Sequence, residues 1–433
     1  MLTKLKNIKG YRFRILALLF YATSINYFDR SLIGVMAPTL QKVFHWTNED
    51  YALIMVSFKL AYAIGLIGMG GLIDKLGTRL GYAISITIWA FFGMLHAFVR
   101  PAFGLIGFIV ARFGLGLGES GSFPSSIKAV AEWFPKKDRA FATGIFNAAT
   151  SVGAITAPII VGAIVSLDGK NWQIPFLITG FLSSLWVIIW WRTYRKPEDH
   201  KKVTKKELQY IVSDNQEETE KKLPWKSVLP KRETWAFVVA KTTDAVWWFY
   251  LFWGAKFLAV TYGVNIKNIA LPFFVLYILA DLGSIMGGFL SGYFIKKDWS
   301  INKARKITLL ICAIIIFPVS SVAFIHIKWL AIFLIGIAAA GHQAWSANIF
   351  TLVSDVFPKK ATASVVGIGG MFGALAGIIS DLALGSVLDQ ANNQGYFWAF
   401  LIAGSMYLII LGIVHLIMPK MIPLDENLNR IKQ

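Results

Sequence analysis

Long apolar stretches separated by short polar ones dominate this chain. A helix needs roughly 20 mostly apolar residues to cross a hydrocarbon core. Stretches of that kind lie at 13–37, 51–72, 80–99, 103–127, 140–166 and 172–192, and resume at 235–262, 272–295, 306–326, 328–353, 362–389 and 396–418. The pattern predicts an all-α membrane protein of twelve transmembrane helices in two six-helix bundles, residues 1–192 and 235–433, the second ending in a short cytoplasmic tail. The interval 193–234 is too charged for lipid and rich in Lys. It reads as a solvated cytoplasmic linker, with a short amphipathic helix on the inner face as the alternative.

The two halves repeat one another. Phe134-Pro-Lys-Lys137 returns as Phe357-Pro-Lys-Lys360, Gly144-Ile145 as Gly367-Ile368, and Glu132 as Asp355, all at a displacement of 223 residues. Both copies fall between the fourth and fifth span of their half, so the repeat is parallel and the bundles pseudo-symmetric.

Composition supports a membrane setting: 56% of the 433 residues are hydrophobic and 15% charged, too few polar groups to cover a soluble surface. A net charge of +19 is also the footprint of a nucleic-acid binder, but its distribution excludes that partner. Of 43 Lys and Arg, 33 fall on one side of the predicted membrane, 5 on the other and 5 within spans. This positive-inside asymmetry puts linker and both termini in the cytoplasm. The basic start runs into the first span without a small-residue cleavage site, as an uncleaved span would. The single Cys312 excludes disulfides and thiolate metal sites. No metal cluster, nucleophile elbow or phosphate loop points to an enzyme, and no cofactor is expected.

Charge inside a membrane is costly and points to partners, a cavity or function. Asn26, Asp29 and Arg30 recur at i, i+3 and i+4 in span one, which predicts a shared face; the alternative is a purely structural ion pair with another helix. Lys59 and Tyr62 are three apart in span two, too deep for snorkelling. Span four carries Arg112, Gly116 and Glu119 along one stripe, a pair in which protonation of Glu119 would free Arg112 for an anion. In span seven Asp244 lies deep, whereas Lys241 is near enough to the cytoplasmic end to snorkel. Span ten holds Gly341-His-Gln-Ala-Trp-Ser-Ala-Asn348, where Gln343, Trp345, Ser346 and Asn348 offer an indole face with amide and hydroxyl groups to a polyol; interhelical hydrogen bonding is the competing use. Asn147 in span five is a further candidate of this kind. Asp281 and Asp381 admit either an ion relay or a helix-orienting role.

After span two, Gly70-Gly-Leu-Ile-Asp74-Lys75-Leu-Gly77-Thr-Arg79 resembles the cytoplasmic gating signature of the major facilitator superfamily, with Asp74, Lys75 and Arg79 as gate residues. Its counterpart Gly288-Phe-Leu-Ser-Gly292-Tyr-Phe-Ile-Lys296-Lys297 lacks the acidic position, so the second gate is expected to be held differently. Asn26-Tyr-Phe-Asp29-Arg30, Ala111-Arg112-Phe-Gly-Leu-Gly-Leu-Gly-Glu119 and Ala131-Glu-Trp-Phe-Pro-Lys-Lys137 resemble the anion:cation symporter branch, and span ten looks most like its hexuronate transporters. That resemblance implies a bacterial inner-membrane symporter, a monomer, taking up glucuronate or galacturonate with protons. It assigns coupling protons to Asp29 and Glu119, substrate carboxylate to Arg30, their linkage to Arg112 and a substrate contact to Tyr62. Lys59 is expected to assist Arg30, as the two halves rock about a central site. Sodium coupling, another organic anion such as an aldonate, aldarate or aromatic acid, an efflux antiporter and a non-transporting sugar-acid sensor are the alternatives.

Overall fold

The computed structural model describes residues 10–213, 223–390 and 394–431, with the backbone alone at 74, 136, 140 and 359. In chain order the helices are α1 (Tyr11–Phe44), α2 (Asn48–Leu95), α3 (Gly104–Glu119), α4 (Ser122–Trp133), α5 (Lys136–Ile164), α6 (Gln173–Thr193), α7 (Lys205–Ile211), α8 (Trp225–Val228), α9 (Arg232–Lys241), α10 (Asp244–Tyr262), α11 (Ala270–Lys296), α12 (Ile301–Ile316), α13 (Lys328–Val356), α14 (Lys359–Gln390) and α15 (Gly395–Ile417). Gly77 interrupts α2 with φ 76° and ψ 160°, a conformation open to residues without a Cβ. The bend divides α2 into stretches matching spans two and three.

Among the described residues, ten helices are long and apolar enough to cross a membrane, against twelve predicted spans. Predicted spans one and seven are helical but fall outside the ten. Span one, α1, carries Asn26, Asp29 and Arg30. Span seven is broken at Thr242-Thr243 into α9 and α10, with Lys241 and Asp244 flanking the break. The polar groups that make these two segments chemically interesting also lower their hydrophobicity.

The repeat is structural. Phe134 ends α4 in extended conformation and donates its N–H to Val130 at 2.9 Å, and Phe357 ends α13 likewise with its N–H on Val353 at 2.9 Å. In each copy the following proline cannot continue the ladder and a new helix starts after it.

The chain resolves into two compact units: Met1–Thr39 with Leu60–Thr219, and Leu40–Lys59 with Glu220–Gln433. The segment Leu40–Lys59 thus groups with second-half residues. In the first unit, a Cβ on Gly153 of α5 would meet the Ser24 carbonyl of α1. In the second, Gly283 and Gly287 of α11 lie against the backbone of Ala340 and Ala344 in α13. Small residues let these helix pairs approach where lipid provides no hydrophobic drive.

The solvated linker predicted from residue 193 onward is corrected in its first part. Tyr194 and Ile211 are buried, and Glu207 accepts the backbone N–H groups of Tyr11 at 3.0 Å and Arg12 at 3.1 Å. The first N–H groups of a helix have no partner within it, so α1 recruits a carboxylate from the linker. Tyr210 adds a hydrogen bond to Asp138 at 2.6 Å, and the His200 ring lies 4.0 Å from that of Tyr11. In the second unit the tail is tied down in turn, by Arg430 on Glu233 at 2.7 Å and the Leu424 N–H on Val356 at 2.8 Å.

Candidate functional site

In the first unit, α1 presents Arg30 to Glu119, the last residue of α3. The Arg30 Nε donates to Glu119 Oε2 at 2.6 Å, and both side chains are almost fully buried. The guanidinium also lies over the rings of Tyr62, 4.6 Å away, and Tyr27, 5.1 Å away, a cation–π setting that holds a planar cation in one plane. These groups line a cavity of about 50 Å³ with Asn26, Ser122, Asn147 and Thr150. Candidates from spans one, two, four and five therefore converge.

Asp29 departs from its predicted place. Successive helical residues are about 100° apart, so with Asn26 and Arg30 lining the cavity, their neighbour turns away. Asp29 lies beside Thr179 and Trp89, and its Oδ2 makes no hydrogen bond. Arg112, fully buried on α3, acts electrostatically on both Asp29 and Glu119. Glu119 also makes an ion pair across helices, with Arg30, besides the electrostatic interaction with Arg112 on its own helix.

The second unit holds a second deep pair. Lys59 Nζ lies 2.6 Å from Asp381 Oδ2 and donates to the Gly377 carbonyl at 3.1 Å. Trp253 Nε1 donates to Asp381 Oδ1 at 3.1 Å, and the rings of Trp248 and Phe252 each lie 5.3 Å from the ammonium. Lys59, read as a substrate contact, thus has a carboxylate partner from α14. Lys241 does not snorkel: it stays buried, 2.5 Å from Asp244 and 4.6 Å from the Phe350 ring.

The span-ten candidates also belong to this unit. Asn348 gives its amide to the Gly287 carbonyl of α11 at 3.0 Å, the interhelical use that competed with substrate binding. Trp345 is buried, edge-on to Tyr407 with centroids 5.2 Å apart; Gln343 and Ser346 are half-buried. Sequence reasoning gave His342 no role, yet its Nδ1 lies 2.6 Å from the Tyr407 hydroxyl and its ring stacks on Trp247. A histidine inside an apolar run was the available signal.

Of the residues predicted to gate, Arg79 donates to the Trp191 carbonyl at 2.6 Å and covers that residue's ring at 4.3 Å. Lys75 is exposed, and the Asp74 side chain lies outside the described residues. In the second half, Arg305 Nε donates to the repeat-position Asp355 at 2.8 Å and its Nη1 to Ser291 at 2.7 Å. Glu132, the matching residue of the first half, accepts from Thr78 at 2.6 Å and from Tyr194. No group of three or more His, Cys, Asp or Glu among the described residues could hold a metal ion.

Residues 19–380 match the Major Facilitator Superfamily. The chain is 32% identical to the hexuronate transporter of Escherichia coli (strain K12) over 401 residues, 91% of each protein. It is 32% identical to the galacturonate transporter of Dickeya chrysanthemi over 333 residues, 75% of this chain and 94% of that one. In fold it is similar to the crystal structure of a bacterial homologue of the human lysosomal transporter Spinster, at TM-score 0.72 and 20% identity, covering 94% of this chain and 97% of that one. With the match spanning most of its helices, the chain belongs to the Major Facilitator Superfamily of membrane transporters.

Proposed function

We propose that this protein imports a hexuronate such as glucuronate or galacturonate across a bacterial inner membrane by proton symport through alternating access, with both termini in the cytoplasm. The observation carrying the reading is the buried Arg30–Glu119 pair in its small polar cavity. A guanidinium held by one carboxylate is a site at which another carboxylate can take over, provided the first is neutralised. From the outer side, protonation of Glu119 weakens its hold on Arg30, and the sugar acid's carboxylate takes its place on the guanidinium. Asn26 and Asn147, lining the same cavity, offer hydrogen bonds to adjacent hydroxyls, and Tyr62 keeps the guanidinium plane in place. Asp29 takes a second proton, and Arg112, sensing both carboxyls, ties their states together. After inward opening, proton loss to the cytoplasm lets Glu119 recapture Arg30 and expel the substrate.

The relatives named for hexuronate and galacturonate transport favour this cargo. Purified protein in liposomes, acid outside, tests it with labelled glucuronate and galacturonate. Uptake above a gradient-free control is expected, with no stimulation by a sodium gradient alone. Absence of uptake of either acid would overturn the reading, and uptake driven only by sodium would replace the proton.

A further inference from the structure

His96 closes the outer end of α2's second stretch and has no part in the coupling scheme above. Its ring is fully buried. Nδ1 lies 2.8 Å from the Phe92 carbonyl and 3.2 Å from that of Gly93. Carbonyl oxygens only accept, so Nδ1 carries the proton and the neutral ring bears a lone pair at Nε2. Parallel stacking on Phe176, 4.9 Å away at an interplanar angle of 5°, and an edge contact with Phe108 at 5.2 Å fix the ring. The direction of Nε2 is therefore fixed too, and that atom has no hydrogen-bond partner.

A buried acceptor without a donor is rare enough to need a reason. The charged group acting on this imidazole is Arg112. Phe108 and Arg112 share a face of α3, one turn apart, so the helix that presses Phe108 onto the imidazole brings the guanidinium alongside. Full burial first, and the neighbouring cation second, disfavour a charged ring here and keep Nε2 an acceptor. Asp29 from α1 and Glu119 from its own helix also face Arg112, and Arg30 of α1 faces Glu119; Phe176, from α6, contributes an apolar ring to the imidazole.

We infer that His96 is a positioning residue for coupling, its Nε2 receiving the Arg112 guanidinium when Asp29 and Glu119 take up protons. Neutral carboxyls attract a guanidinium weakly, and a buried cation losing its counter-charges opposes the protonation that caused the loss. His96 offers a neutral acceptor in their place, stabilising the protonated state without competing for the proton. Its presence therefore raises the proton affinity of the two carboxyls. The inference rests on the coupling roles proposed above.

The test compares His96→Phe, which keeps ring stacking but removes the acceptor, with His96→Gln, which retains an amide donor and acceptor. Two profiles are measured from pH 5 to 9: proton-driven hexuronate uptake, and thermal unfolding of the purified protein without substrate. In H96F both midpoints should move to lower pH, by about a tenfold change in proton activity for the loss of one charge-assisted hydrogen bond. H96Q should stay near the wild type. Unmoved midpoints in H96F, or equal shifts in both variants, would overturn the inference. If H96F does not fold, His96→Leu makes the same comparison. If the wild type takes up no sugar acid, the transport reading fails while the substrate-free profile still decides the role of His96.

Discussion

Asp381 holds Lys59 at 2.6 Å in the interior of the second unit, although 322 positions separate them in the chain. The Gly377 carbonyl accepts from the ammonium and the Trp253 indole donates to the carboxylate, contacts that help make a buried ion pair tolerable. Removing one partner strands the other charge. Lys59→Met and Asp381→Leu should each destabilise the protein by about 3–5 kcal/mol, whereas the double variant recovers most of that loss. Thermal unfolding in detergent, run as a double-mutant cycle, checks this. Additive losses would mean that the two charges are not coupled.

Arg30 and Glu119 make the sharpest functional prediction. Glu119→Gln keeps a hydrogen-bonding group of the same size but cannot gain or lose the coupling proton. It should retain exchange of labelled for unlabelled hexuronate across liposomes while losing accumulation driven by a pH gradient. Arg30→Lys replaces the planar fork by a point charge and should weaken hexuronate binding roughly tenfold or more, as expected for a lost charge-assisted hydrogen bond. Calorimetric titration reads that loss directly. Unchanged affinity in Arg30→Lys would remove Arg30 from the carboxylate site.

Why some of this could be read from the sequence and some could not has a physical basis. Apolar stretches recover the helices because lipid leaves the backbone no other partner, and the Phe-Pro-Lys-Lys repeat finds the same helix break in both halves. The convergence of Arg30, Tyr62, Glu119 and Asn147 follows from the cost of leaving such groups in lipid. Pairing is different, because periodicity orders groups along one helix and says nothing of what faces them from another. Glu119 therefore looked like the partner of Arg112 on its own stripe, and Asp381 had no assigned partner at all. Nor does a charged composition separate a solvated linker from one whose Glu207 caps α1.

Two glycines of α11 differ in what surrounds them. A Cβ at Gly283 would run into the backbone of Ala340, whereas at Gly288 nothing lies within 4 Å. Gly283→Val must push α11 and α13 apart and should cost about 1–3 kcal/mol as overpacking does, lowering both folded yield and melting temperature. Gly288→Ala should be neutral or slightly stabilising, by up to about 1 kcal/mol through helix propensity. Size-exclusion profiles and thermal unfolding of the two variants distinguish the cases. A well-folded Gly283→Val protein of unchanged stability would contradict the close approach.

Glu207 links linker and bundle through the N-terminal end of α1. It accepts the N–H groups of Tyr11 and Arg12 and lies 3.6 Å from the Arg12 guanidinium. Helix caps of this kind contribute about 1 kcal/mol, and a carboxylate at a helix N-terminus adds a favourable interaction with its dipole. Glu207→Ala removes both, while Glu207→Gln keeps an acceptor and loses the charge. The alanine variant should release the segment 193–213, which trypsin would then cut faster at its lysines, and the glutamine variant should lie between it and the wild type. High salt should narrow the gap between glutamine and wild type, because only the charge term is screened. Equal cleavage rates in all three proteins would return this segment to the solvated linker that its composition predicts.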